Sequence, residues 1–193
     1  MRLKMGKIAK IVTSLVAVSS VGVVGPAFAA DGTIMFTGKV NAQTCTINGG
    51  GSSSKDFTVA LPNVSASQLA AAGATAGRTG FSIALTNCTP ATGNVHTFFE
   101  AGPTIDPSTG NLVLVKGDQP DATDVADNVQ ISLLNGDQTK IQLGAPDASQ
   151  NSKSVPIDKS GAATLSYFAE YVATGTASGG SANSSVMYSI AYQ

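Results

Sequence analysis

The sequence predicts an all-β protein, an immunoglobulin-like β-sandwich, and three observations support this fold class. Short runs in which apolar and polar residues alternate recur between turn signals along the chain. Charged residues make up only 12% of the composition, and a helical pattern is confined to one short stretch. Two cysteines, Cys45 and Cys88, suit one disulfide between strands. The chain has no tryptophan, so an ordinary antibody-type domain with its buried tryptophan is not expected.

The first 29 residues predict a secretory signal peptide. A basic start is followed by an apolar stretch over residues 11–24 and by Ala27-Phe28-Ala29, the small-x-small pattern that signal peptidase cuts after. A membrane anchor is the competing interpretation, but about fourteen apolar-rich residues fall short of the ~20 that cross a bilayer. The mature chain is therefore expected to begin near Ala30 and to form one domain.

The charge balance argues against two classes of partner. The whole chain carries 11 basic and 12 acidic residues. Loss of the signal peptide removes four basic residues and no acidic residue, which leaves 7 against 12 and a net charge near −5. A surface of this sign does not favour nucleic acid or anionic lipid as a partner.

Seven or eight short strands account for the pattern of the mature chain. In chain order, the alternating runs are 33–40, 57–61, 81–85, 112–115, 129–133, 165–171 and 184–193. Run 112–115 is apolar on both faces, which is typical of a fully buried strand. The pair Asn135-Gly136 followed by Ile141 and Leu143 predicts a hairpin, because this pair suits a tight turn with positive φ.

Two other stretches break the strand pattern. Residues 65–72 predict a helix of two turns at most, because Ser65 is a good N-cap and Gly73 ends the pattern. Residues 49–54 are glycine and serine only, and they predict a flexible loop between strands.

The two cysteines predict a disulfide. A signal peptide sends the chain to an oxidising compartment, where an even cysteine count indicates pairing of Cys45 with Cys88. A metal pair or a catalytic thiol has little support, since no Cys-x-x-Cys motif exists and His96 is the only histidine. Closing a loop of about 44 residues contributes roughly 4 kcal/mol on the chain-entropy model.

The sequence predicts no enzyme, no cofactor and no metal site. His96 is the only histidine that a nucleophile could use, and a packed or surface histidine is the simpler interpretation. Residues 118–127 form an acidic loop, but they lack the Asp-x-Asp/Asn-x-Asp/Asn-Gly pattern of a calcium loop. Paired carboxylates of the glycosidase type stay open on spacing alone, although most acids lie in turn-like contexts typical of solvated loops. Those acids are Asp106, Asp118, Asp121, Asp124, Asp127, Asp137 and Asp147.

The two ends of the mature chain are patterned as strands. Residues 33–40 alternate almost from the predicted mature start, and residues 184–193 alternate up to the last residue. Chain ends are usually frayed and polar. An edge strand with nothing beside it exposes backbone groups that invite pairing with another chain.

In this order and spacing, the motifs of the chain resemble those of the major subunits of chaperone–usher fimbriae, of the type 1 pilin kind. The resemblance spans the whole chain. It depends on the signal peptide, residues 32–38 (GTIMFTG), Cys45, residues 81–88, residues 171–175 (YVATG), Gly180 and the penultimate aromatic residue Tyr192.

The resemblance implies a sandwich that lacks its seventh strand and is completed by donor-strand complementation. A periplasmic pilus chaperone would lend a strand first. At the outer-membrane usher, the N-terminal extension of another copy would replace it by β-augmentation, giving a head-to-tail filament. The chain would then consist of a signal peptide (1–29), a donor-strand extension (30–38) and a pilin domain (39–193).

The resemblance also assigns residues. The donor strand would use Gly32, Ile34 and Phe36, with Gly32 as the small residue at one pocket. The competing interpretation pairs Ile34 and Phe36 within their own domain as an ordinary first strand. Because two residues precede Gly32 after the predicted cleavage, the extension is short and the occupant of the outermost pocket stays open. The chaperone-facing residues of the C-terminal strand would be Val186, Tyr188, Ile190 and Tyr192.

The expected function is a structural shaft subunit, secreted through the periplasm and exposed on the cell surface for adhesion. The sequence does not identify a host receptor. A minor, adaptor or tip pilin with a binding site is one alternative. A periplasmic enzyme or solute-binding sandwich is another, from a different class.

Overall fold

A computed structural model of the protein describes residues 33–38, 40, 42–116 and 124–193. The chain divides into two compact units, Met1–Lys39 and Val40–Gln193, and the β-sandwich lies in the second unit. The predicted signal peptide and Gly32 lie outside the described residues. Within the described ranges, no helix has the length and apolar character needed to cross a membrane.

Two antiparallel sheets form the second unit. Six strands make the larger sheet: β1 (Thr44–Gly49), β2 (Thr75–Thr89), β4 (Ile105–Asp106), β5 (Asn111–Val113), β6 (Val129–Asn135) and β8 (Ala163–Ala173). Three strands make the smaller sheet: β3 (Asn94–Phe99), β7 (Val155–Pro156) and β9 (Tyr188–Tyr192). The strand orders are β1-β2-β8-β6-β5-β4 and β7-β3-β9. The all-β prediction is confirmed.

The core lies between the sheets and is built from alternate residues of the long strands. An aromatic cluster joins the sheets: the Tyr167 ring lies 5.5 Å from Phe81 and 5.6 Å from Phe99, centroid to centroid. Leu85 and Val95 are completely buried beside it. Burial of apolar side chains is the main favourable contribution to folding, at roughly 25 cal/mol per Å² of apolar surface removed from water.

In the part of the chain that the structure describes, helix is confined to two short pieces. A single 3-10 turn covers Ala66–Leu69, and the Ser65 side chain caps it by accepting a hydrogen bond from Ser67 N. The helix predicted at 65–72 is therefore correct in position but shorter. A four-residue helix, α1 (Asp147–Gln150), was not predicted; its buried Gln150 side chain bonds both backbone groups of Phe99, at 2.8 and 2.9 Å.

Three strand predictions need correction. Residues 57–61 are not assigned to a strand, although they alternate correctly, because no neighbouring strand pairs with their backbone. Residues 33–38 are likewise outside any strand. The run 112–115 is buried on both faces only at its start, since Val115 is partly exposed.

The remaining strand predictions have mixed outcomes. A turn forms after Asn135, but its positive φ lies at Gln138 and not at Asn135 or Gly136, and only one bridge, Leu134 to Lys140, follows it instead of a second strand. β3 was missed as an element, because its apolar and polar residues do not alternate: its central His96 and Thr97 are both buried. The long strands β2, β6 and β8 confirm the predictions at 81–85, 129–133 and 165–171.

Candidate functional site

The C-terminal residues 181–192 join one sheet to the other. Val115 N donates a hydrogen bond to Asn183 O at 2.8 Å, which ties the start of this segment to the larger sheet. The end of the segment is β9, which pairs with β3 along its whole length, so the strand predicted over residues 184–193 forms only over Tyr188–Tyr192 and Val186 lies outside it. Within the described residues, β9 is the last strand of its sheet and its other edge has no strand partner.

Alternate side chains of this segment face inward. Four half-buried residues pack against the core, namely Val186, Tyr188, Ile190 and Tyr192. Met187, between the first two, points away and is 66% exposed. The residues predicted to contact a chaperone therefore share one face, although the contact itself stays a prediction.

Residues 57–64 lie opposite residues 178–188, and a groove separates the two segments. Two adjoining cavities of about 620 and 590 Å³ make up this groove. Both cavities are lined by Thr58, Val59, Leu61, Ile131 and Ser184, so they lie next to each other. We call it the edge groove, because it follows the unpaired edge of the sandwich.

The floor of the edge groove is apolar, whereas its rim near Gly180 is polar, with Asn63, Ser181 and Asn183 among the lining residues. Near Tyr188 the lining includes Phe81, Phe99 and Leu133, and near Gly180 it includes Leu69, Val129 and Tyr171. Several of these side chains belong to the buried core. The groove is thus a gap between the sheets through which the core is accessible from one side.

Tyrosines lie along the groove and on the strand beside it. Burial raises the pKa of the Tyr171, Tyr188 and Tyr192 hydroxyls, and the charge of Asp56 adds to the effect at Tyr188. These hydroxyls are neutral at physiological pH. The Tyr188 hydroxyl donates a hydrogen bond to Lys55 O at 2.6 Å.

The predicted donor residues are exposed. Ile34 is 79% exposed and Phe36 is 90% exposed, and the side chain of Met35 between them is also exposed. Val40, which continues the alternation of Ile34 and Phe36, is 99% exposed. Neighbouring exposed apolar side chains are a common feature of interaction sites, and the donor role of these residues stays a prediction.

The predicted disulfide is present. Cys45 of β1 and Cys88 of β2 are bonded, and the pairing of these two strands shifts register between Thr44 and Thr46. The bond ties the edge strand of the larger sheet to its long neighbour. It lies away from the open part of the groove, whose lining residues do not include either cysteine.

His96 is a packed residue. It is buried on β3, with Nε2 at 2.7 Å from the Asp147 carboxylate and Nδ1 at 3.4 Å from the Gln193 amide. Neither partner is a nucleophile, so the arrangement is not that of a catalytic triad. The interaction instead links α1, β3 and the C-terminal residue.

Three aspartates cap turns. Asp106, Asp137 and Asp158 each accept hydrogen bonds from the hydroxyl and backbone N–H of the residue two positions later, which lowers the pKa of each carboxyl. This matches the turn-like context predicted for Asp106 and Asp137. In the described ranges, no group of three or more His, Cys, Asp or Glu residues could hold a metal ion. Residues 117–123 of the predicted acidic loop lie outside those ranges.

Comparison with known proteins identifies the family. The family model for the type-1 fimbrial protein, A, matches residues 61–193. The chain belongs to the type-1 fimbrial protein family. The major fimbrial subunit SMF-1 of Stenotrophomonas maltophilia (strain K279a) is 48% identical over 167 residues, which cover 85% of this chain and 94% of the relative. The F17 fimbrial protein of Escherichia coli is 46% identical, over 84% and 88%.

Solved structures of fimbrial subunits share the fold. The P pilus rod subunit PapA superposes with a TM-score of 0.51 at 17% identity, covering 77% of this chain and 99% of that one. The CupB6 tip adhesin of Pseudomonas aeruginosa gives a TM-score of 0.53 at 19% identity, over 76% of this chain and 37% of that one. The fold is therefore an incomplete immunoglobulin-like sandwich of the pilin kind, as predicted.

Membership of this family fixes the broad role. The protein is a structural subunit of a chaperone–usher fimbrium, secreted through the periplasm to the cell surface. The family and the fold are those of structural subunits and not of enzymes.

Proposed function

We propose that the edge groove binds a donor strand, supplied in the fimbrium by residues 32–40 of another copy. The observation that carries the proposal is an apolar groove beside a strand with an unpaired edge. A strand inserted there would lie along residues 178–188, which lead into β9, and bury its alternate side chains in the core. The contact is head to tail and does not close, so repetition gives a filament.

The length of the donor segment suits the groove. The C-terminal segment lines the groove from Ser178 to Tyr188, which is eleven residues or roughly 35 Å of extended chain. Residues 32–40 are nine in number, so they would occupy most of that length. Their inward series is Gly32, Ile34, Phe36, Gly38 and Val40.

The energetics suit a durable polymer. Ile34, Phe36 and Val40 are almost fully exposed, and each contributes roughly 1.5–3 kcal/mol when it is buried. Backbone hydrogen bonds to the C-terminal segment that lines the groove would add to this. Because the inserted strand becomes part of the core, dissociation requires opening of the sandwich and is expected to be slow.

Before assembly, we infer that a periplasmic chaperone fills the same groove and that the outer-membrane usher is where the exchange occurs. The inward face formed by Val186, Tyr188, Ile190 and Tyr192 would flank the chaperone strand. Deletion of Tyr192 and Gln193 should abolish co-purification with the chaperone, whereas Met187→Ser on the outward face should not. An intact complex with the truncated chain would contradict this role.

The simplest test of a donor-strand polymer is a denaturing gel of sheared surface material, unboiled beside a sample boiled in acid. A ladder that collapses to one band is expected of the shaft subunit. A monomer band in both lanes would contradict the shaft role and favour a minor or adaptor subunit, or a monomeric periplasmic binding protein.

The donor residues have their own test with a matched control. Ile34→Asp with Phe36→Asp should stop polymerisation without loss of the chaperone complex, because two charges would have to enter an apolar groove. Met35→Asp with Thr37→Asp adds the same charge on the opposite face and should still give fibres. Fibres from the first variant would refute the donor assignment.

A further inference from the structure

The predicted donor extension joins the sandwich at Gln43. Val40 is 99% exposed and Ala42 is exposed, whereas Gln43 is only 7% exposed. Gln43 is thus the first buried residue in the described part of the chain. A glutamine side chain is usually exposed, so its burial at this position indicates that the amide group has a specific partner.

The Gln43 amide binds the loop that joins β2 to β3. Its Nε2 atom donates one hydrogen bond to Pro90 O at 3.0 Å and another to Thr92 O at 2.7 Å. A primary amide carries two N–H groups, so both of them are used. The two bonds fix the side chain, and with it the point at which the chain enters the sandwich.

The same loop is joined to the C-terminal strand. Asn94 and Gln193 exchange two backbone hydrogen bonds, at 3.2 and 2.8 Å. Gly93 allows this approach, because its φ is +92° and an added Cβ atom would lie 2.8 Å from Gln193 O. Tyr192 also makes a hydrogen bond with the backbone of Cys45. The start of the domain and its last two residues therefore form one connected cluster.

The next firm attachment along the chain is the disulfide. Thr44 is exposed, and the register of β1 shifts directly after its pair with Thr89. Cys45 then follows, with its covalent bond to Cys88. Gln43 therefore holds the chain two residues before the disulfide does.

The position of Gln43 decides the length of the joint between neighbouring copies. If residues 32–40 lie in the edge groove of another copy, only residues 41 and 42 separate them from Gln43. The three Cα–Cα steps from Val40 to Gln43 span about 11 Å at most. Without the amide contact, the joint would extend to Cys45, which is five steps or about 18 Å. A shorter joint has fewer free backbone dihedrals, so it restricts the angle between the two domains that it connects.

We propose that Gln43 fixes the direction in which the donor extension leaves its own domain, and that it thereby sets the bending stiffness of the filament. This inference rests on the proposed function, in which the extension of each copy is held by the groove of another. Gln43 does not line the groove, so it is a positioning residue that acts at the joint. Its loss should change the shape of the filament rather than its formation.

The test replaces Gln43 by methionine, which has a similar volume and no N–H group in its side chain. Pro90 and Thr92 are exposed, so water can replace the lost donor and the domain is expected to fold. Fimbriae of the wild type and of Gln43→Met are imaged by negative-stain electron microscopy, and the persistence length is measured along single fibres. Gln43→Met should form fibres in normal yield, with a persistence length at least about twofold shorter because the joint is longer.

Gln130→Met is the matched control. Gln130 is 8% exposed, and its amide binds Asp106 and Asn111. It lies on β6, which β2 and β8 separate from β1 in the larger sheet. The change removes buried amide contacts away from the joint, so the persistence length should stay that of the wild type. Thermal unfolding of each chain, with the groove filled by a synthetic peptide of residues 30–40 (the donor peptide), measures the stability that each variant loses.

The outcomes separate this inference from the proposed function. A wild-type persistence length in Gln43→Met overturns the inference. Equal shortening by Gln130→Met also overturns it, because a general loosening of the domain would then be the cause. If Gln43→Met forms no fibres, Gln43→Asn replaces it; its amide is too short to reach both carbonyls, and the persistence length should fall by a smaller factor. Failure of the wild-type chain to bind the donor peptide contradicts the proposed function itself.

Discussion

β8 and β9 have the same sequence pattern but different environments. Each carries two tyrosines on its inward face, at Tyr167 and Tyr171 in β8 and at Tyr188 and Tyr192 in β9. β8 pairs with β2 on one side and β6 on the other, and its inward tyrosines are buried. β9 pairs only with β3, and its inward tyrosines are half-buried.

The difference shows that the number of neighbouring strands, rather than the pattern of a strand, decides how far its side chains are buried. A strand with two neighbours has its inward residues covered from both sides. A strand with one neighbour leaves them open along the free edge, where they remain available to an added strand.

The largest expected effect is that of the disulfide, which lies away from the edge groove. Cys88→Ser removes the bond that holds β1 to β2 and should cost about 4 kcal/mol of unfolding free energy. Cys45→Ser and the double variant should lose the same amount, because all three break one bond. Urea unfolding of the peptide-bound chain and the periplasmic yield measure the effect. Unchanged yield would contradict a structural role for the disulfide.

The two tyrosines test the comparison directly. Tyr167→Ala should cost about 4 kcal/mol, the usual loss for a fully buried aromatic side chain. Tyr188→Ala should cost about half as much in the chain without a donor strand, and more once the groove is filled. Urea unfolding with and without the donor peptide measures both values. Equal costs in the free chain would mean that the β9 edge is as well covered as β8.

A smaller effect separates the hydroxyl groups. Among the described residues, the buried Tyr167 hydroxyl has no hydrogen-bond partner, whereas the Tyr188 hydroxyl is bonded to Lys55 O. Tyr167→Phe should therefore leave stability unchanged or raise it slightly. Tyr188→Phe should lower it by about 1 kcal/mol. Thermal unfolding of the two variants at one pH gives the comparison, and the opposite ranking would contradict it.

The smallest effect is that of acid on the three turns that aspartates cap. The pKa of Asp106, Asp137 and Asp158 is lowered by turn hydrogen bonds, so these carboxyls stabilise the fold above the unfolded value of 3.8. Below pH 4 the unfolded chain binds more protons than the folded chain, and stability falls with pH. The wild type should therefore lose Tm more steeply below pH 4 than a variant with all three changed to Asn. Parallel profiles would contradict this.

Much of the fold could be predicted from the sequence. The period-2 pattern of residues 165–171 predicted β8, because apolar residues at alternate positions are enough to identify the inward face of a strand. The even cysteine count behind a signal peptide predicted the bond between Cys45 and Cys88, and the structure confirms it. Ser65 marked the start of the short helical turn because its side chain caps the backbone locally.

Other features depend on contacts that local pattern does not contain. Residues 57–61 alternate as a strand does, but their backbone has no neighbour to pair with. β3 has a weak pattern, since His96 and Thr97 are both buried, and it forms because β9 and β7 pair with it. The partners of His96, Asp147 and Gln193, come from distant parts of the chain.

The sequence by itself determined the long strands β2, β6 and β8, the disulfide and the apolar alternation at both ends, since these follow from residue types and their spacing. The tertiary structure decided where the sandwich stays open. A groove exists only where two segments that are far apart in sequence face each other without a strand between them, as residues 57–64 and 178–188 do. The packing of the Phe57 ring against Gly49 and Gly50 has the same origin. It depends on how closely two segments of the folded chain approach each other.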